Sequence, residues 1–356
     1  MRVGIDVTPA RAGRLTGVER YAVELVRALA ARAPGEVVLF TGPGAPEAIR
    51  RLDVEQHRAP LEARLPVDQL WLPLTAARAR VDLLHTLAFP TPLLWRSRSI
   101  LTMHDATPWL FPQTASKGMR LYYRPLFPQA LRRATMVLTP SMAARADVAH
   151  ATGVPQERIL VAPEGVRLEL FTACAAPATS DPYLLCVGTV EPRKNLATLF
   201  DAFRILVRQG RRLDLVLVGR RGWGRPLDPG DIAPRVQFTG AVDDARLADY
   251  YSGAACFVLP SLYEGFGLPL LEAMAAGTPA VASGIPALRE LAGETVRYAD
   301  PRDTGAFAAA IAATLDGGEE TLARVRAARA RAATYTWDRC ADVTLAAYRK
   351  ALEDPA

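Results

Sequence analysis

Glu264 and Glu272 stand at the two ends of Glu264-Gly-Phe-Gly-Leu-Pro-Leu-Leu-Glu272. An apolar run, Cys256 to Pro260, leads into this stretch as a strand would, and Pro269 suits the first turn of a following helix. A Gly-x-Gly turn that opens a helix presents backbone N–H groups and the positive end of the helix dipole. That is a site for a phosphate or diphosphate. Carboxylates accept hydrogen bonds from hydroxyls, which a sugar and a ribose both offer. The spacing puts Glu264 just before the turn and Glu272 within the first helical turn. Singly, Glu272 reads as an acid stabilising a helix N-terminus and Glu264 as a solvated loop acid. Together, around a glycine turn, they read as two carboxylates flanking one anion site.

Arg193 and Lys194 are adjacent cations in Val187-Gly-Thr-Val-Glu-Pro-Arg-Lys-Asn195, again between a strand and a helix. Cations at a helix start oppose its dipole, and an anion offsets that cost. A departing nucleoside diphosphate gains negative charge as its glycosidic bond breaks, and cations already in place stabilise it. His104 and Asp105 close the run Leu101-Thr-Met-His-Asp at the end of another strand, where a histidine can hydrogen-bond a substrate hydroxyl or serve as a buried structural group. Gly17, after Gly13 in the loop leaving the first strand, immediately precedes a helix, where a residue without a side chain lets backbone come close to a phosphate. No Asp-x-Asp occurs, so the usual carboxylate pair for a divalent cation on a diphosphate is missing and no metal is expected.

These groups need rigid elements behind them. Apolar runs alternate with helical spacing nearly throughout. Arg2 to Val7 is followed by a helical face of Val18, Tyr21, Ala22, Leu25, Val26 and Leu29, then by strands at Glu36–Phe40, Val81–His85, Ser99–Met103 and Thr135–Thr139. The second half repeats the alternation with Tyr183–Gly188, a helix from about Leu196 to Val207, Leu213–Gly219, Val236–Gly240, Cys256–Pro260 and Ala280–Ser283. Both halves are therefore α/β, with parallel sheets covered by helices on two faces. Ligands of such sheets sit beyond the carboxyl ends of the strands, where the motifs fall.

At 356 residues the chain exceeds one ordinary core, and two domains imply a cleft. The small, Pro-containing segment Phe171–Pro182 is the linker candidate. The domains are residues 1–172, residues 173–336, and a terminal helix, 337–356, whose packing partner the sequence leaves open. Residues 1–170 hold 22 Lys and Arg against 15 Asp and Glu, and the rest hold 21 against 22, so the positive field belongs to the first domain. Within it, Lys117, Arg120, Arg124, Arg132 and Arg133 mix with Met119, Leu121, Tyr122, Tyr123, Leu126 and Phe127, a surface suited to anionic lipid headgroups, although Pro125 and Pro128 interrupt it. Nucleic acid is disfavoured as a partner, because the cations are scattered and no helix-turn-helix or RNA-binding signature is present. The four cysteines stand far apart, the N-terminus lacks a signal peptide's pattern, and no apolar run spans a bilayer. A cytoplasmic protein, at most peripheral at the inner face of the membrane, is expected.

The Glu-x7-Glu stretch resembles the signature of family-four glycosyltransferases of the GT-B fold. Phe238-Thr-Gly-Ala-Val242, Leu247 to Tyr251, Phe257-Val-Leu-Pro-Ser261 and Glu272-Ala-Met-Ala-Ala-Gly-Thr-Pro-Ala-Val281 extend the likeness in that family's order and spacing. The resemblance covers essentially the whole chain and implies two Rossmann-like domains facing across a cleft, an N-terminal one for the acceptor and a C-terminal one for the nucleotide-sugar, with the terminal helix crossing back to the first. It implies that Glu272 binds the donor's ribose and Glu264 lies against its hexose. The amides of Gly265, Phe266, Gly267 and Leu268 would hold sugar hydroxyls and phosphate, and backbone near Val242 would meet the base. Lys194 is carried over as the diphosphate ligand. Many relatives have an arginine where this chain has Thr189, so that share falls less directly on Arg193. Gly17, preferred to Gly13, would reach the diphosphate, and His104, with Asp105, would touch the donor sugar, as positioning group first and with a role as base left open.

The implied reaction is a retaining, metal-independent hexosyl transfer to a glycan or lipid-linked acceptor in surface polysaccharide biosynthesis. The nucleotide-sugar is a co-substrate rather than a cofactor. The Glu-Pro-Arg-Lys-Asn and His-Asp-Ala-Thr-Pro variants look like those of bacterial mannosyl- and deoxyhexosyltransferases, which puts GDP-mannose first and UDP-hexoses close behind. The alternatives are an epimerase or phosphorylase of the same architecture, or a non-catalytic protein binding a nucleotide-sugar or nucleic acid.

Overall fold

A computed structural model describes residues 1–11, 17–114, 121, 124–171, 182–224 and 227–353. The chain forms two compact units, one of residues 1–165 with the chain from Thr336 onward, the other of Val166–Tyr335. Apart from Phe171 and Pro182, the linker segment read from the sequence lies outside the described residues, as does Cys174.

The first unit holds a seven-stranded sheet of β1 (Val3–Val7), β2 (Val37–Thr41), β3 (Glu55–Arg58), β4 (Leu83–Thr86), β5 (Arg98–Thr102), β6 (Met136–Thr139) and β7 (Ile159–Val161), in the order β3-β2-β1-β4-β5-β6-β7. The second holds six strands, β8 (Tyr183–Val187), β9 (Asp214–Val218), β10 (Val236–Gly240), β11 (Cys256–Leu259), β12 (Ala280–Ser283) and β13 (Arg297–Ala299), in the order β10-β9-β8-β11-β12-β13. Every pairing is parallel. Parallel strands covered on both faces have no wet side, which is why β1, β2, β8 and β11 are buried along their whole lengths. Strand order reverses between β1 and β4 and between β8 and β11, and such switch points open room for a ligand beyond the strand ends. The expected α/β class with parallel sheets is the observed one. β3, β7 and β13, of three or four residues each, were absent from the sequence reading.

The Trp337–Glu353 helix packs on the Gly17–Arg32 helix of the first unit. Arg32 holds Asp338 and Asp342 at 2.7 Å each, and Trp337 meets the Tyr21 ring edge-on. Beneath them the Tyr348 hydroxyl lies 2.7 Å from His85 Nδ1, whose Nε2 lies 2.8 Å from Thr102 Oγ1. The chain re-enters this unit so closely that a β-carbon on Gly165 would sit 2.2 Å from the Trp337 amide nitrogen.

The basic and aromatic segment falls partly outside the described residues. What is described is a continuous helix, Arg124–Arg133, with Pro128 inside it and Phe127 turned into the core against Trp109. Phe127 is therefore not a surface aromatic. Among the described residues Cys186, Cys256 and Cys340 are free and buried, and no helix is long and apolar enough to cross a membrane.

Candidate active site

β8 and β11 are neighbours at the switch point of the second sheet, so the loops that leave them run side by side. The first loop carries Arg193 and Lys194 in a short 3-10 turn, Pro192–Lys194, ahead of the Leu196–Arg208 helix. The second carries Ser261 to Gly267. Asn195, left-handed at φ 55°, stitches them together by donating to the Pro260 carbonyl at 3.0 Å and the Pro301 carbonyl at 2.7 Å, and the Leu262 amide donates to the Arg193 carbonyl at 2.9 Å.

This stitching creates a buried ionic cluster. Lys194 Nζ donates to Glu264 Oε1 at 2.6 Å and Arg193 Nη1 to Glu264 Oε2 at 2.7 Å. The Ser261 hydroxyl adds a bond to Oε1 at 2.6 Å. Arg193 also reaches Glu191 Oε1 at 2.7 Å and the Tyr263 carbonyl at 2.6 Å. Burial on its own raises the Glu264 carboxyl, but the charges of Arg193 and Lys194, with hydrogen bonds from Lys194 and Ser261, outweigh it and hold the group at about 2. Glu264 is thus a buried anion rather than a solvated loop acid. The two cations precede the helix rather than occupy its first turn, and two carboxylates of the chain itself, Glu191 and Glu264, offset their charge.

Beside the cluster, Gly267 caps the Leu268–Ala276 helix at φ 107°, a backbone that side chains rarely adopt, and a β-carbon there would lie 2.4 Å from Leu288 Cδ2. The Leu270 and Leu271 amides both turn back to the Gly267 carbonyl and Pro269 has no N–H. The buried amides of Phe266, Gly267 and Leu268 have no protein partner among the described residues. Buried N–H groups without partners are costly, and an anion or sugar hydroxyl would satisfy them. Gly265 is buried next to them.

Glu272 is the fifth residue of this helix, beyond the first turn where the sequence put it, because the helix starts only at Leu268. At that depth it is buried, and it accepts a hydrogen bond from the Tyr251 hydroxyl at 2.8 Å. Val242, half-buried between β10 and the Asp244–Gly253 helix, packs on the same core as Phe266 and Leu268.

Three expected site residues belong to the first unit. Gly17 is the exposed first residue of its helix, and a β-carbon there would meet nothing within 4 Å among the described residues. His104 has protein partners at both ring nitrogens, the Leu87 carbonyl 2.9 Å from Nε2 and Glu164 Oε1 3.1 Å from Nδ1, and the Tyr21 ring lies edge-on with centroids 4.6 Å apart. A carbonyl only accepts, so Nε2 is the donor to Leu87. Asp105 accepts the Thr107 amide at 2.8 Å and so shapes the turn into Thr107–Leu110.

The structure therefore joins Arg193, Lys194, Glu264 and the 265–268 turn in one unit, with Glu272 on the helix that follows. Glu191, Ser261, Tyr251 and Glu164 were not singled out from the sequence. Glu191, Tyr251 and Ser261 stood within quoted motifs, but nothing in a linear sequence says which carboxylate a given group will meet.

Residues 15–170 match the family Glycosyltransferase Family 4, and residues 181–317 match Glycosyl transferases group 1. The chain is 32% identical to O-antigen chain mannosyltransferase B of Escherichia coli, over 94% of this chain and 96% of that one. It is 30% identical to O-antigen chain mannosyltransferase RfbU of Salmonella typhimurium, over 62% of this chain and 61% of the other. Among solved structures, a sucrose-phosphate synthase from Thermosynechococcus elongatus superposes with a TM-score of 0.76 at 24% identity, covering 98% of both chains.

Proposed function

Because the chain belongs to glycosyltransferase family four and has the GT-B fold, we propose that it moves mannose from GDP-mannose, with retention of configuration, onto a glycan or lipid-linked acceptor of a surface polysaccharide. The observation that carries this reading is the buried Arg193–Lys194–Glu264 cluster next to the unpartnered amides of Phe266, Gly267 and Leu268. That combination suits a diphosphate whose charge grows during the reaction. The two O-antigen mannosyltransferases favour mannose as the sugar.

In the proposed step the bond from the anomeric carbon to the diphosphate oxygen breaks, and the acceptor oxygen bonds to the same face. The acceptor's proton passes to the leaving diphosphate, which departs as the nucleoside diphosphate. Arg193 and Lys194 take up the growing negative charge, so no divalent cation is required. Glu264 orients the hexose and keeps both cations in place, while Glu272 binds the ribose. Gly17 approaches the diphosphate, Val242 the base, and His104 the donor sugar, released from one of its present partners. The enzyme works in the cytoplasm, peripherally at the inner face of the membrane where a lipid-linked acceptor resides.

A thermal-shift panel of GDP, UDP, dTDP and ADP with their sugars tests the donor, since a bound ligand raises the melting temperature by mass action. GDP and GDP-mannose should give the largest shifts, and shifts confined to uridine nucleotides would overturn the choice. Analysis of the product's anomeric configuration by NMR tests retention.

A further inference from the structure

Asp68 is a buried carboxyl of the first unit that the donor chemistry leaves without a task. It lies in a π turn, Val67–Trp71, that follows the short helix Arg64–Pro66. Turns of this kind are rare and often mark functional sites, and this one carries Val67 and Asp68 to the buried side of the segment. Asp68 Oδ1 stands 3.0 Å from Arg64 Nη2, close enough to pair charges, yet this buried oxygen has no aligned hydrogen bond among the described residues. A carboxylate oxygen in that position is costly, and a hydroxyl donor would satisfy it.

The groups around Asp68 converge on the carboxyl end of β1, at the switch point where a sheet of this kind takes a ligand. Asp6, the fourth residue of β1, accepts the Thr8 amide at 3.0 Å and the Thr8 hydroxyl at 2.7 Å. The same hydroxyl accepts Arg64 Nη1 at 3.1 Å. Thr8 is also pressed by the exit of β2, where a β-carbon on Gly42 would come 2.6 Å from the Thr8 carbonyl oxygen. The Arg64 guanidinium rests over the Phe89 ring, 5.0 Å from its centroid. Asp6, Thr8 and Asp68 are buried, whereas the Arg64 side chain is 26% exposed, so the arginine is the open side of a fixed polar niche.

Its charge selects what it can hold. With both carboxyls ionised, Asp6 and Asp68 outweigh Arg64 by one negative charge, and Glu62 nearby is met by Arg11 at 3.0 Å. Burial, against the pull of Arg64 and with a push from Asp6, raises Asp68 to about 7, so the niche already resists negative charge. A phosphate would add to that repulsion, whereas a sugar's hydroxyls donate to a carboxylate and accept from a guanidinium without adding charge.

We infer that this niche binds the acceptor's terminal sugar as a neutral polyol, one hydroxyl donating to Asp68 and a neighbouring one accepting from Arg64. Asp6 and Thr8 position the arginine. The sugar that fits is the same whether it ends a glycan or a glycolipid, and an acceptor that presents a phosphate at this point is excluded. The inference deepens the proposed function by naming the acceptor's chemical class, and rests on that reading for there being an acceptor.

Octyl α-mannoside and octyl phosphate test it, one neutral and hydroxylated, the other anionic with the same tail. Their binding is followed by saturation-transfer NMR on the full chain saturated with GDP, and GDP binding is measured separately by calorimetry, so failure of the niche and failure of the donor assignment remain separate results. The wild type should bind the mannoside and not the phosphate. Asp68→Asn, and Arg64→Lys, which keeps the charge but loses the planar fork, should each weaken the mannoside at least about tenfold, with GDP affinity and melting temperature preserved. In transfer assays the acceptor KM should rise by the same factor while the donor KM holds. Tighter binding of octyl phosphate than of the mannoside overturns the inference, as does a wild type that binds GDP and neither probe. Unchanged mannoside affinity in both folded variants overturns it too, and so does a parallel loss of GDP affinity, which would give these residues to the donor.

Discussion

Lys194 Nζ and Glu264 Oε1 lie 2.6 Å apart although the two residues are seventy positions apart in the chain, and Arg193 holds the second carboxylate oxygen at 2.7 Å. Glu191, Arg193, Lys194 and Glu264 carry two charges of each sign, so the cluster is balanced by the chain's own residues.

Glu264→Gln removes one of the two negative charges and leaves the cations in excess. Breaking a buried ion pair by changing one partner costs about 3–5 kcal/mol, so the melting temperature should fall. A nucleoside diphosphate should recover more of that loss in the variant than it adds to the wild type, because it supplies the missing anion. Transfer should drop at least about tenfold with donor saturating, if the carboxylate orients the hexose. A variant that transfers at the wild-type rate would falsify that role.

Lys194→Ala tests where the diphosphate charge is met. Loss of one preorganised group that stabilises developing charge costs about 10²–10³ in kcat. Initial rates should fall by that order in the variant, whereas EDTA should leave the wild-type rate unchanged. A wild-type rate abolished by EDTA and restored by a divalent cation would end the metal-independent reading.

Two glycines should respond in opposite ways. Gly267→Ala combines a φ of 107° with a contact of 2.4 Å to Leu288, so it should destabilise the protein by about 1–3 kcal/mol and weaken the donor. Gly17→Ala meets nothing within 4 Å among the described residues, so stability should hold or rise slightly. If backbone at Gly17 meets the diphosphate, donor affinity alone should fall, and calorimetric titration of both variants separates the effects. Unchanged affinity in Gly17→Ala would remove that glycine from the site.

The alternation of strands and helices was legible because parallel strands buried on both faces leave long apolar runs, as at β1, β8 and β11. β3 was not, since Glu-Gln-His-Arg is polar and its strand character comes from pairing with β2 at the sheet edge. The glycine turn and helix start after Glu264 were legible, because they are local features. The partners of Glu264 were hidden, because they depend on β8 and β11 being adjacent in space. Gly165 gave no local signal either, since its need for a bare backbone arises from the chain's return at Trp337.

Tyr251→Phe removes the 2.8 Å hydrogen bond to Glu272 while keeping the ring that packs against Phe171 and Phe257. A hydrogen bond to a charged group contributes about 1.5–3 kcal/mol, and if Glu272 binds the ribose, part of that orients its carboxylate. KM for the donor should rise about fivefold or more with kcat little changed. A fall in kcat at constant KM would mean that Glu272 acts in the chemistry instead.

The last prediction concerns acid stability and begins with His85, fully buried between Thr102 and Tyr348. Burial, with a smaller push from the His104 charge, lowers His85 from 6.5 to about 3, so the folded protein keeps it neutral. The unfolded chain takes up a proton near pH 6.5 that the native state refuses. The contribution of His85 should therefore fall as pH drops below about 6.5, by up to about 1.4 kcal/mol per pH unit for one proton, against an opposite contribution from Asp68, which burial raises to about 7. Glu264, held at about 2 against an ordinary 4.5, contributes stability above pH 4.5 that is lost as pH falls toward 2. Between pH 6.5 and 4.5 the contribution of Glu264 is constant, and His85 gives a slope that Asp68 opposes. His85→Gln should accordingly make the melting temperature fall less, or rise, on acidification through that window while leaving the fall below it. An unchanged slope between pH 6.5 and 4.5 would show that another group refuses the proton.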